Sequence, residues 1–145
     1  MTYKRFYSEL GKLLYAIADS NGIISRKERD TLLAIVKKEL VPAEMHTDEY
    51  GTDTAYYTGI EFDFLDEEIA DTEAAFNSFI DYLEEHHTAF DNKMLQVCMR
   101  VAKELAASYH RVNKKEKALL TKLERVVDKI EKENQMKALH KKTAL

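Results

Sequence analysis

The stretch ADSNGIISRKE, residues 18–28, carries the carboxylates and the glycine that a calcium-binding loop would use. With Gly22 at the sixth position of such a loop, Asp19 and Glu28 fall at the third and twelfth, where carboxylates bind the ion. The first position falls on Ile17, which has no side-chain oxygen. The same residues suit a tight turn, because glycine permits a left-handed backbone. The sequence therefore favours a structural turn over an EF-hand.

Glu84 and His87 are a second candidate for metal chemistry. Their i, i+3 spacing would place a carboxylate and an imidazole on one face of a helix, but a di-iron bundle needs two such pairs and two more glutamates. The sequence has one pair, so a small metal-dependent, di-iron-like helical protein is an alternative function. No nucleophile lies beside a base and no glycine-rich phosphate loop occurs. We therefore expect no catalytic residues and no enzymatic activity.

The charges are partitioned along the chain. Residues 39–92 contain 16 acids and no lysine or arginine, so all 22 basic residues lie outside this segment. Packing of an acidic middle against basic flanks would limit self-repulsion. A dedicated cation or partner surface is the alternative, and Asp63, Asp66 and Glu67 are its candidate residues.

The C-terminal stretch 111–142 has 11 basic and 5 acidic residues. Nucleic acid or anionic lipid could bind such a surface. However, the acids are interleaved with the bases, and no aromatic residue is present for base stacking. No nucleic acid partner is expected, and a nucleic-acid binder through this basic helix remains an alternative.

Helices must position these residues, because one proline and four glycines leave few breaks. Segment 43–64 is predicted to be irregular, Ile69 to face the core, and the tail 134–145 to fray. We expect one all-α domain over 1–145, a helical bundle of about five main helices. Apolar residues at helical spacing predict these helices over 3–19, 25–42, 65–87, 91–109 and 113–140.

An internal repeat relates two of the predicted helical hairpins. A shift of 88 residues superimposes Ser25 on Asn113, both good N-caps, and Glu28 on Glu116. Each hairpin then consists of an apolar helix, a short turn, a capping box and a second apolar helix. The bundle should bury the apolar stripes of the two hairpins against each other.

The two hairpins, and so most of the chain, resemble the TerB-like domain of tellurite-resistance proteins. The resemblance implies an all-helical, cytoplasmic, non-enzymatic domain associated with resistance to tellurite and other stresses. It also implies a protein partner, in a membrane-associated or metal-sensing complex. The matching residues are Ala18, Asp19, Gly22, Ile24, Ser25 and Glu28.

The resemblance also implies a metal held by acids at the turns. Asp19 and Glu28 match in the first hairpin and Glu116 in the second, where Ala107 and His110 replace the aspartate and the glycine. No cofactor is certain, and the candidate is a divalent cation bound by those three acids.

The start of the chain lacks the apolar core of a signal peptide, and no apolar run is long enough to span a bilayer. We expect a cytoplasmic protein that is not an integral membrane protein. Cys98, the only cysteine, lies on an apolar stripe and should be a buried structural thiol.

Overall fold

The computed structural model describes residues 3–20, 22, 24–40, 54–108 and 113–143. The described part is helical and contains no strand, which confirms the all-α prediction. A π-helical turn extends the second helix over Val36–Leu40, and short 3-10 turns occur at Thr54–Tyr56 and His87–Ala89. Its six α-helices are α1 (Tyr3–Asp19), α2 (Arg26–Ile35), α3 (Tyr57–Glu67), α4 (Thr72–Glu85), α5 (Asn92–Ala107) and α6 (Lys114–Thr143).

Helix α1 lies at the centre of the bundle. All six consecutive side chains from residue 13 to residue 18 are buried, so this part of the helix has no face toward water. Helices α3, α4, α5 and α6 all contact it. A helix that is apolar on every side is stable only when other helices cover every side.

Gly11 allows α3 to cross α1 at very short range. A Cβ atom placed on Gly11 would lie 2.6 Å from the carbonyl oxygen of Thr58 and 2.9 Å from Cβ of Glu61. At the same crossing, the buried Thr58 hydroxyl donates a hydrogen bond of 2.8 Å to the backbone oxygen of Tyr7. The backbones therefore approach each other with no room for a side chain.

The predicted helix over 65–87 is wrong, because α3 and α4 are separate helices. Ile69 adopts φ 51°, and its neighbour Ala70 donates its backbone N–H to the carbonyl of Leu65 at 3.0 Å. This left-handed residue ends α3 as glycine commonly does in other proteins. Asp71 then caps α4 by accepting a hydrogen bond from the Ala74 N–H at 2.9 Å. Ile69 is 86% exposed, so its predicted place in the core is also wrong.

Two boundary predictions need correction. Within the segment 43–64 that was predicted to be irregular, residues 54–64 are helical, and residues 43–53 lie outside the described residues. Helix α6 continues to Thr143, a few residues beyond its predicted end, and the fraying of the tail from residue 134 stays a prediction. The Asn134 amide donates to the backbone oxygen of Phe90 at 3.0 Å. The side chains of residues 135–140 are all exposed.

Cys98 is fully buried in the core on α5, as predicted. Burial raises the pKa of its thiol to about 12, because the thiolate would lose its hydration. The residue therefore acts as a small apolar side chain.

We predict that Gly11→Ala lowers the free energy of unfolding by about 2 kcal/mol, because a backbone carbonyl cannot move away as a side chain can. Gly59→Ala is the matched control: its Cβ would meet only the Cδ2 atom of Leu33, at 3.4 Å. Urea unfolding followed by circular dichroism measures both variants. Equal stability of the two variants would contradict the close crossing.

We predict that Ile69→Gly raises the free energy of unfolding by about 1 kcal/mol, because glycine removes the strain of the left-handed residue. Ile69→Ala keeps a Cβ atom and should leave stability nearly unchanged. Thermal and urea unfolding give both values. A glycine variant less stable than the alanine variant would show that residue 69 carries no strain.

Candidate functional site

The turns of the two hairpins are capped in the same way. The Ser25 hydroxyl accepts a hydrogen bond of 3.1 Å from the N–H of Glu28 at the start of α2. The Asn113 side-chain oxygen accepts one of 2.8 Å from the N–H of Glu116 at the start of α6. Both N-caps predicted from the repeat are therefore confirmed.

The structure extends the repeat beyond the residues that revealed it. Helices α1 and α5 end 88 residues apart, and α2 and α6 begin 88 residues apart. At the end of the first helix in each hairpin, a serine hydroxyl donates to the backbone oxygen three residues earlier. The distances are 2.7 Å from Ser20 to Ile17 and 2.6 Å from Ser108 to Leu105. This serine pair was not predicted from the sequence, although the two serines share the 88-residue spacing.

The two turns are joined directly. The Asn113 side-chain amide donates a hydrogen bond of 2.9 Å to the backbone oxygen of Ser20, which follows α1. Asn113 thus caps its own helix with its oxygen and holds the other hairpin with its nitrogen. The bond to Ser20 joins the end of α1 to the start of α6. We call this region, together with Glu28 of α2 and Glu116 of α6, the turn junction.

Glu116 is buried at the turn junction. Its side chain is 0% exposed, and neither carboxylate oxygen has a hydrogen-bond partner among the described residues. The predicted capping box in the second hairpin is therefore only half formed: Glu116 donates its N–H to Asn113, but its carboxylate returns no bond. Burial, and secondarily the negative charge of Glu28, raise the pKa of Glu116 to about 7.

Asp19 does not join these two glutamates. Its carboxylate accepts a short hydrogen bond from the Thr72 hydroxyl at the start of α4. It lines a cleft of about 530 Å³ that also includes Asp71 and Lys115. The two glutamates, in contrast, are coupled electrostatically to each other.

The three acids therefore do not fit a resident metal ion. In the described ranges, no three His, Cys, Asp or Glu residues lie close enough together to hold one. The predicted three-carboxylate cation site of Asp19, Glu28 and Glu116 is thus corrected to a pair of glutamates with the aspartate engaged elsewhere.

Glu84 and His87 do not form the pair expected for a di-iron site. Glu84 is exposed at the end of α4, and His87 begins the short 3-10 turn that follows. The Nδ1 atom of His87 lies 2.8 Å from the backbone oxygen of Glu84, not from its carboxylate. The imidazole thus completes the end of α4.

The candidate partner residues Asp63, Asp66 and Glu67 all lie on α3. The Arg29 guanidinium donates two hydrogen bonds of 2.9 Å to the Asp63 carboxylate, which ties α2 to α3. Asp66 and Glu67 are exposed near the end of the helix. The three acids therefore all belong to one helix, α3.

A group of exposed apolar side chains lies beside these acids. Tyr56, Ile60 and Phe64 are spaced four residues apart, and 42%, 59% and 55% of their surfaces are exposed. Leu33 on α2 is 44% exposed, and its Cδ2 atom lies against Gly59 of α3. We call these four residues the α3 face. The α3 face was not predicted from the sequence, because the aromatic-rich segment before residue 65 was not predicted to be helical.

The basic helix α6 carries lysines along its whole length. Lys129, Lys132 and Lys137 line a shallow depression together with Met136, which is 64% exposed. Glu133 lines the same depression, which agrees with the interleaved charges of the sequence. No helix in the described ranges is both long enough and apolar enough to cross a membrane.

Comparison with known proteins does not identify a family for this chain. No family model, no curated protein and no solved structure matches the chain. The TerB-like resemblance stays a prediction based on the residues of the first hairpin.

We predict that Asn113→Ala lowers the free energy of unfolding by about 2 kcal/mol, because it removes both the cap of α6 and the bond between the turns. Ser25→Ala removes a cap alone and should cost about 1 kcal/mol. Urea unfolding of the two variants gives the difference. Equal losses would show that the bond to Ser20 contributes nothing to stability.

Proposed function

We propose that this chain is a non-catalytic, TerB-like domain that acts by binding a partner protein, and that the partner docks on the α3 face. The observation that carries the proposal is the exposure of Leu33, Tyr56, Ile60 and Phe64 on adjoining parts of α2 and α3. The repeated, capped hairpins support the TerB-like assignment. That resemblance points to tellurite or a related stress as the setting in which to seek the partner.

The apolar character of the α3 face supports docking. Ile60 and Phe64 are each more than half exposed and lie on the same side of α3. Leu33 of α2 is also exposed and lies against Gly59, the residue that precedes Ile60. Single apolar residues are ordinary on a protein surface, but adjoining ones are typical of interaction sites. Burial of these side chains in an interface would supply the favourable free energy of binding.

The charges around the α3 face favour one kind of occupant. Glu67 follows Phe64 on the same side of α3, and Asp63 lies next to it. Arg29 pairs with Asp63, and Glu67 has no such ion pair among the described residues. An amphipathic helix with apolar residues at i, i+4 and i+7 and lysines or arginines on its flanks would match both features. We therefore assign the α3 face to a basic amphipathic helix of a partner protein.

A synthetic helical peptide of leucine and lysine, with the leucines on one face, tests this proposal. Titration followed by NMR should shift the amide signals of α3, and Ile60→Ser should weaken binding about tenfold, a loss of 1.4 kcal/mol. Met136→Ser is the matched control, because Met136 is equally exposed on α6. Equal weakening by the two substitutions would refute the assignment.

The charge of the rim is tested separately. Glu67→Gln should weaken binding of the same peptide, and Glu84→Gln, on exposed α4 surface, should not. A peptide with glutamate in place of lysine should bind more weakly still. Concentration-dependent dimers that Ile60→Ser abolishes would overturn the proposed occupant and assign the face to a second copy of the chain.

A further inference from the structure

The turn junction contains a buried acid that no described group neutralises. Glu116 is fully buried, and both of its carboxylate oxygens lack a hydrogen-bond partner among the described residues. An ionised carboxylate in such a place would lose its hydration without compensation. A protonated carboxyl group carries no charge and avoids most of that cost.

The charge of a second carboxylate makes ionisation of Glu116 less favourable. Glu28 occupies the third position of α2, as Glu116 does in α6, and its negative charge acts on Glu116. The two positions are equivalent in the repeat, so the contact follows from the way the hairpins meet. Two neighbouring carboxylates with restricted access to water do not both ionise readily.

The other charged groups of the neighbouring helices are either exposed or paired with residues other than Glu116. On α1, Asp19 accepts a hydrogen bond from Thr72, and on α5, Lys103 pairs with Glu124 at 2.9 Å. Glu73 on α4 is exposed. On α6 itself, residues 114, 115 and 117 are exposed lysines. Two basic residues, His110 and Arg111, precede α6 in sequence and lie outside the described residues.

We propose that Glu116 holds a proton at the turn junction, and that its loss loosens the contact between the two hairpins. The bond from Asn113 to Ser20 lies beside Glu116 and closes the same contact. This inference concerns a different part of the molecule from the α3 face and does not depend on partner binding.

The direction in which pH changes the stability follows from the raised pKa of Glu116. The pKa of Glu116 is raised from 4.5 to about 7 in the fold. The folded state therefore holds the proton more tightly than the unfolded chain between these values. The resulting stabilisation is complete below pH 4.5 and is lost as the pH rises through 7.

The first experiment compares stability with pH. Between about pH 5 and pH 8, the unfolding equilibrium constant of the wild type should rise about tenfold or more relative to that of Glu116→Gln. Glu73→Gln is the matched control, since Glu73 lies in the first turn of α4 but is exposed. Parallel pH profiles for the wild type and Glu116→Gln would overturn the proposal.

The second experiment observes the proton in the full chain, and it remains informative if Glu116→Gln does not fold. Carbon-13 NMR of the glutamate carboxyl groups should give a midpoint for Glu116 well above 4.5, which Glu28→Gln should lower. The protection of the Glu116 N–H from hydrogen exchange, corrected for the intrinsic rise of the exchange rate with pH, should fall above that midpoint. A midpoint below 4.5 that rises in Arg111→Gln would overturn the proposal in favour of an ion pair.

The third experiment separates a proton from a cation. Magnesium, calcium or zinc chloride added at about pH 8 should leave the stability of the wild type unchanged relative to Glu116→Gln. Metal-dependent stabilisation that the substitution abolishes would overturn the proton on Glu116 and assign its carboxylate to a cation.

Discussion

The complete burial of α1 is the constraint on which the rest of the structure depends. From residue 13 to residue 18 this helix has no side that tolerates water, so other helices must surround it. Gly11 allows α3 to lie directly against its backbone on one side. The second hairpin contributes α5 and α6, and the end of α5 and the start of α6 follow the same repeat. The positions of both the turn junction and the α3 face follow from this arrangement around α1.

The sequence predicted the features that depend on local chemistry. Apolar periodicity located α1 and α5 closely, and the capping residues Ser25 and Asn113 gave the starts of α2 and α6. The break between α3 and α4 could not be predicted in this way, since no glycine or proline marks it. An isoleucine occupies the left-handed position there, and tertiary contacts must compensate for its strain.

The candidate sites show the same contrast between features set by local sequence and features set by packing. The repeat correctly placed Glu28 and Glu116 at equivalent positions, and the structure brings them together. Spacing could not show that Glu116 is buried without a partner or that Asp19 turns to Thr72, because both depend on how the hairpins pack. The α3 face was missed for a related reason: a segment with many threonines and aromatics lacks clear helical periodicity, and its packing against α1 stabilises the helix.

The burial of Cys98 has a practical consequence for work on this domain. The native thiol is enclosed in the core and almost entirely protonated at neutral pH, so thiol reagents should not modify it while the protein is folded. A cysteine introduced at any exposed site would then be the sole reactive one. Fluorescent or spin labels could be attached singly or in pairs to the natural background, and distances between the hairpins could be followed without first removing a native residue.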